Sequence, residues 1–158
     1  MAVDVKKVAN RRRVRYNNLD EFMLDAETLG RKPVRTLGNW SFEQILAHLA
    51  IAMNGSIDGV TLQIPWYLRT GARLLRKQIF KRGLTPGFKL AQADLSRAWP
   101  THPAEVAAGL EALRKAVARL SSESKRCPHP AFGELTRDEW NTFHLRHCEL
   151  HMSFVVPA

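Results

Sequence analysis

The chain has 158 residues, 45% of them hydrophobic and 25% charged, which supplies one domain with a proper core and excludes a disordered chain, a multidomain array and a disulfide-stapled miniprotein. Lys and Arg number 24 against 15 for Asp and Glu, a net charge of +9, which brings nucleic acid or an anionic membrane surface into consideration. The excess is local: residues 1–16 carry +5 and residues 57–92 carry +6, whereas 17–56 and 93–158 come to −2 and 0.

The first sixteen residues, with Arg11-Arg12-Arg13, read as a basic tail outside the fold, partly disordered rather than a binding arm. The first helix is expected from Leu19 to Leu29, where Leu19, Phe22, Met23, Ala26 and Leu29 repeat at three and four, Asn18 caps and Gly30 stops. A second opens at Ser41, where Ser41-Phe42-Glu43-Gln44 has the spacing of a capping box, and continues through Ile45, Leu46, Leu49 and Met53 to Gly55. A long connection follows, residues 57–101, with its own helical stretch from Trp66 to Arg82 whose expected packed face is Leu68, Ala72, Leu75 and Ile79. The third bundle helix opens near Pro103 and places Val106, Leu110, Leu113, Val117 and Leu120 on one stripe. The fourth opens at the Thr136-Arg137-Asp138-Glu139 capping box and runs to about Val155. No region of comparable length alternates with the two-residue period of a strand. The expected fold is all-α: a four-helix bundle over residues 17–158, with a helix-containing crossover between its second and third helices.

The longest mostly apolar run, Ile45 to Met53, is less than half the roughly 20 residues needed to span a bilayer. No integral membrane contact is expected, and without a signal-peptide pattern at the N-terminus the expected compartment is the cytoplasm. Cys127 and Cys148 form no CxxC, so neither a disulfide framework nor a cysteine zinc site is indicated.

The chemistry lies in the histidines. His144, His147 and His151 share roughly 60° of the fourth helix at about 100° per residue. Trp140 falls in that arc, while Thr142, Arg146, Glu149 and Ser153 occupy the opposite side. The polar stripe is expected to face solvent and the imidazoles the bundle. His147 and His151, four apart, can converge on one ion. His48, among Ile45, Ile51 and Ala52, also points inward. Three or four inward imidazoles on two helices suit zinc, nickel or iron, with a position open for water or substrate. The alternative is a set of core histidines satisfied by hydrogen bonds. His102 and His129, each beside a proline in a loop, carry no metal signal.

Trp40-Ser41 opening a helix, the Leu46-Ala47-His48-Leu49 turn and His147-x-x-x-His151 in the last helix together resemble the DinB-like (YfiT-like) superfamily of four-helix bundles. The stretch Pro130 to Trp140 followed by His144 looks like a branch of it whose function is uncharacterised. The resemblance implies a divalent metal held by His48, His147 and His151. His144 has no counterpart among those three ligands, and its open roles are a group bracing the ligands, a fourth ligand or a carrier of protons. Characterised members are thiol-dependent S-transferases and isomerases, which implies a small thiol cosubstrate. The chain departs from many relatives after the pair, reading Met152-Ser153-Phe154 where they carry Arg-Gly-Gln.

An open tris-histidine metal lowers the pKa of a bound water or thiol, so hydrolysis and thiol transfer on a small-molecule substrate are both expected chemistries. No phosphate-cradling loop, G-x-S-x-G elbow or HExxH motif is present. The other class of function is a noncatalytic bundle that binds nucleic acid or acidic lipid through its basic helix and tail. Nucleic acid is the disfavoured partner, since the excess charge avoids the bundle helices, and a homodimer is compatible with a bundle of this size.

Overall fold

A computed structural model describes residues 2–87 and 105–158. In chain order it contains α1 (Leu19–Gly30), β1 (Val34–Thr36), α2 (Phe42–Asp58), α3 (Trp66–Arg82), α4 (Val106–Ser122), α5 (Arg137–Met152) and β2 (Val155–Pro157). The all-α bundle is therefore present, built from α1, α2, α4 and α5, with α3 as the additional helix of the crossover. The expected helix start at Pro103, and His102 beside it, lie outside the described residues.

Local sequence fixes the helix starts. Asn18 Oδ1 accepts from the Glu21 amide at 2.8 Å. Ser41 and Gln44 form a reciprocal capping box, as do Thr136 and Glu139, each satisfying two amides that the helix leaves without partners. The core then forms where the apolar stripes meet: Phe22 and Ala26 of α1, Leu46, Leu49 and Met53 of α2, Leu113, Ala116 and Leu120 of α4, and Cys148 and Met152 of α5. α2 and α4 approach closely at Gly109, where a Cβ would lie 2.9 Å from that of Leu46.

The structure departs from the sequence reading in three places. The last helix ends at Met152, and the three residues Val155–Pro157 pair antiparallel with Val34–Thr36, Arg35 opposite Val156. Strands this short show no period to read. The packed face of α3 is also rotated. Ala72, Ile79 and Phe80 face the bundle in a second apolar cluster with Phe132, Leu135, Trp140 and Phe143. Leu68 and Leu75 are exposed, as are Trp66, Tyr67 and Leu74. Arg76 adds to the packed side, pairing with Glu139 at 3.2 Å and donating to the Glu134 carbonyl at 3.0 Å, so that α3 is tied to the start of α5.

The third departure concerns the polar stripe of α5. Arg146, Glu149 and Ser153 do not face solvent but are 5%, 7% and 7% exposed, because residues 11–16 of the basic N-terminal segment cover them. The Arg12 amide donates to the Ser153 carbonyl at 2.8 Å and the Tyr16 amide to Glu149 Oε1 at 2.8 Å. Arg12 Nη2 lies 2.7 and 2.8 Å from the two carboxylate oxygens of Asp25 on α1. Periodicity separates a helix's two faces, but an unpatterned segment elsewhere in the chain decides whether the polar one is covered.

Candidate metal centre

Three of the imidazoles meet. His48 comes from the middle of α2, and His147 and His151 from successive turns of α5. His147 Nε2 lies 3.2 Å from His48 Nε2 and 3.0 Å from His151 Nε2. One ligand atom from each of the three lies within 4.8 Å of the other two. Two nitrogens each about 2.0–2.1 Å from one zinc in a tetrahedral shell stand about 3.3 Å apart. The donor set and its spacing therefore fit a single ion, and among the described residues no carboxylate or thiolate belongs to the cluster.

Flat aromatic walls fix the ring orientations. Trp40, in the turn before α2, stacks on His151 with centroids 5.1 Å apart and planes 9° from parallel, and meets His48 edge-on at 4.8 Å. Phe143, one turn before His147, stacks on it at 5.6 Å. Burial of the rings, reinforced by their mutual repulsion when charged, pushes His147 well below its ordinary pKa and His151 down to about 3. Both are thus neutral with a lone pair to give, the state a metal ligand requires.

His144 sits apart from this group despite sharing its arc. It is 1% exposed, its Nε2 lies 3.1 Å from Ser56 Oγ, and its ring stacks on Trp140 at 5.3 Å. Ser56 Oγ donates to the Met53 carbonyl at 2.7 Å, so it accepts from His144, whose Nε2 carries the proton. Its Nε2 proton is thus directed at Ser56, and Nδ1 is buried without a partner. Burial, with lesser contributions from Arg126 and His129, lowers the pKa of His144 to about 3. Trp140 accompanies His144, its indole N–H donating to the Cys127 carbonyl at 3.1 Å, while Trp40 lines the triad.

His129, with no metal signal in the sequence, is a structural residue. Its Nδ1 accepts from the amides of Ala131 and Phe132 at 3.0 and 3.2 Å, closing the turn that ends at Gly133 (φ +75°). Its ring lies against Phe132, Trp140 and Phe143. A loop histidine bonded to amides two and three residues on has the Asx-turn logic of a local brace, the one signal that could have marked it in the sequence. Cys148 is fully buried and a filler of the core, and burial raises its thiol pKa. No helix among the described residues is long and apolar enough to cross a membrane.

Comparison with curated proteins and with solved structures gives no match. A family model does match, over residues 8–158. That span takes in every helix of the bundle, the three converging histidines and all but the first few residues of the N-terminal segment that covers α5. The chain belongs to the family described as Protein of unknown function (DUF1569).

Proposed function

We propose that the protein binds one divalent metal ion through His48, His147 and His151 and uses it in chemistry on a small molecule, of the S-transfer or hydrolytic type. The observation that carries the reading is the convergence of three imidazole nitrogens from two helices, 3.0 and 3.2 Å apart about His147. The DinB-like resemblance of the motifs around these residues supports the same assignment, and with it a small thiol as cosubstrate. The ion, zinc, nickel or iron by donor type, would supply Lewis acidity and lower the pKa of a water or thiol. The protein's own contribution is orientation. Trp40 and Phe143 hold the ligand rings. His144, bonded to Ser56, is placed to keep Ser56 and the α2–α5 contact in register, and we assign it no proton-carrying step.

Metal analysis of untagged protein purified without chelator tests the reading. One equivalent per chain is expected, with uptake abolished by His48→Ala, His147→Ala or His151→Ala and retained by His144→Ala. Less than about 0.1 equivalent with no uptake on titration would refute it. Retention in any triad variant would show that the ligand set is wrong.

A second reading, a noncatalytic bundle that docks on acidic lipid, is favoured by α3. Trp66, Tyr67 and Leu74 are 77%, 59% and 81% exposed, on a helix with six basic and no acidic residues. Cosedimentation with anionic vesicles, lost on Trp66→Ala and Leu74→Ala, is its test.

A further inference from the structure

The two basic segments of the sequence meet in space. A cleft of about 410 Å³ lies between the N-terminal segment, the end of α3 and the outer face of α5, lined by Arg11, Arg12, Arg13, Arg15, Arg82 and Arg146. Among the described residues two carboxylates touch these six guanidiniums. Asp25 holds Arg12, and Glu149 lies 3.4 Å from Arg15 and 3.3 Å from Arg146. Arg11 donates to Ser153 Oγ at 3.2 Å and lies over the Phe154 ring, with no carboxylate partner. Among the described residues Arg13, exposed, makes no hydrogen bond or ion pair, and Arg82 pairs with no carboxylate.

Arg146 adds a charge to the wall of the cleft without a full set of partners. It is 5% exposed, its Nη2 is taken by the Tyr16 carbonyl at 3.2 Å and by Glu149, and its Nε and Nη1 are buried without partners. A buried guanidinium with two nitrogens unsatisfied is costly, and here it forms part of the wall of a cleft where cations outnumber carboxylates by six to two. Mutual repulsion of these groups is relieved by an anion that several of them share. Arginine forks match the paired oxygens of a phosphoryl group. The cleft is concave, within the size range of small-molecule sites, and its arginines come from three separate segments. That geometry suits a compact polyanion better than the extended backbone of a nucleic acid, which is tracked by a long groove or stripe of charge.

We infer that this cleft is a binding site for a phosphorylated small molecule, on the face of α5 opposite the three histidines and independent of metal at that centre. Inorganic pyrophosphate is the probe, added to the full-length protein and followed by calorimetry and thermal shift. The expected result is saturable one-to-one binding with a raised melting temperature. The double variant Arg13→Ala/Arg82→Ala, at two side chains that hold no carboxylate of the fold, should weaken binding about tenfold or more without changing metal uptake by the histidines. Arg146→Lys, which keeps the charge but not the fork, should weaken it too. No saturable binding up to about 10 mM pyrophosphate, or unchanged affinity in a correctly folded double variant, would overturn the inference. So would binding to a DNA duplex or to anionic vesicles in the absence of any binding to pyrophosphate.

Discussion

Replacing Asp25 by Asn tests whether the N-terminal segment is a structural part of the domain. Asp25 Oδ1 and Oδ2 lie 2.7 and 2.8 Å from Arg12 Nη2, and Oδ2 also accepts from the Tyr16 hydroxyl at 2.5 Å. The Arg12 and Asp25 side chains are 24% and 23% exposed, so water screens them only in part. Burial, and then the neighbouring Asp25 carboxylate, raise the Tyr16 pKa and keep the phenol protonated as a donor. Asn preserves the shape, removes the charge and turns an NH₂ toward one of the two donors. A hydrogen bond to a charged group contributes about 1.5–3 kcal/mol. One such bond is lost, one is weakened, and Arg12 keeps its bond to the Val155 carbonyl at 3.4 Å, which places the expected loss at about 3 kcal/mol. For a chain of this size that corresponds to a fall in Tm of roughly 6–12 °C. Thermal unfolding followed by circular dichroism measures it, with Arg12→Leu and the double variant completing a cycle whose coupling should exceed about 1 kcal/mol. If Asp25→Asn falls within about 0.5 kcal/mol of the parent, as a substitution on a free surface would, the segment does not stabilise the fold and the reasoning fails.

Gly109→Ala gains helix propensity of about 1 kcal/mol but drives a methyl to 2.9 Å from Leu46 Cβ. A Cβ is fixed to its backbone and no rotamer change moves it aside, so a net loss of about 1–2 kcal/mol in chemical denaturation is expected, and a stabilised variant would mean that α2 and α4 are further apart than described. The buried histidines set an acid limit. His129 is lowered to about 4 and His144 to about 3, chiefly by burial, against an unfolded value near 6.5. Below that value the unfolded chain binds more protons, so stability is complete above about pH 6.5 and is lost as pH falls toward 4 and 3. The His129 share is on the order of 3 kcal/mol. Urea midpoints of metal-free protein between pH 7 and 4.5 should fall more steeply for the parent than for His129→Gln, and equal slopes would remove His129 from the account.

How much of this was legible in the sequence depends on the range of the interaction that decides each feature. The capping boxes at Ser41 and Thr136 and the stripes of α1, α2 and α4 are local, and each lies where its spacing predicts. The i, i+4 spacing of His147 and His151 likewise gave two of the three converging nitrogens. His144 shows where angular position stops being enough. It shares their arc but sits a turn before His147, and at that level the residue of α2 it meets is Ser56, eight residues beyond His48. Axial level matters as much as face, and it is set by how α2 crosses α5, which neither helix records alone. The exposure of Leu68 and Leu75 has the same origin. Six basic residues on α3 leave two candidate apolar faces, and Phe80, with its partners Phe132 and Trp140 far along the chain, selects between them.

The basic residues illustrate the point most fully, because their sum was visible and their destination was not. A stretch with six basic side chains and one acidic, and no apolar period, has the composition of a solvated tail. What retains it against the bundle is the complementary pattern on two other elements: Asp25 on α1, and Glu149 on the side of α5 away from its histidines. Glu149 is the centre of that arrangement, accepting the Tyr16 amide and lying against Arg15 and Arg146. Burial raises its pKa, and the Tyr16 and Arg15 bonds oppose part of that rise, so the segment that Glu149 holds also offsets part of the cost of burying its charge. The two sides of α5 thus do different work. Imidazoles converge on one side, where a cation fits. Guanidiniums gather on the other, where after Asp25 and Glu149 are satisfied an excess of positive charge remains, and that excess gives the cleft its preference for an anion.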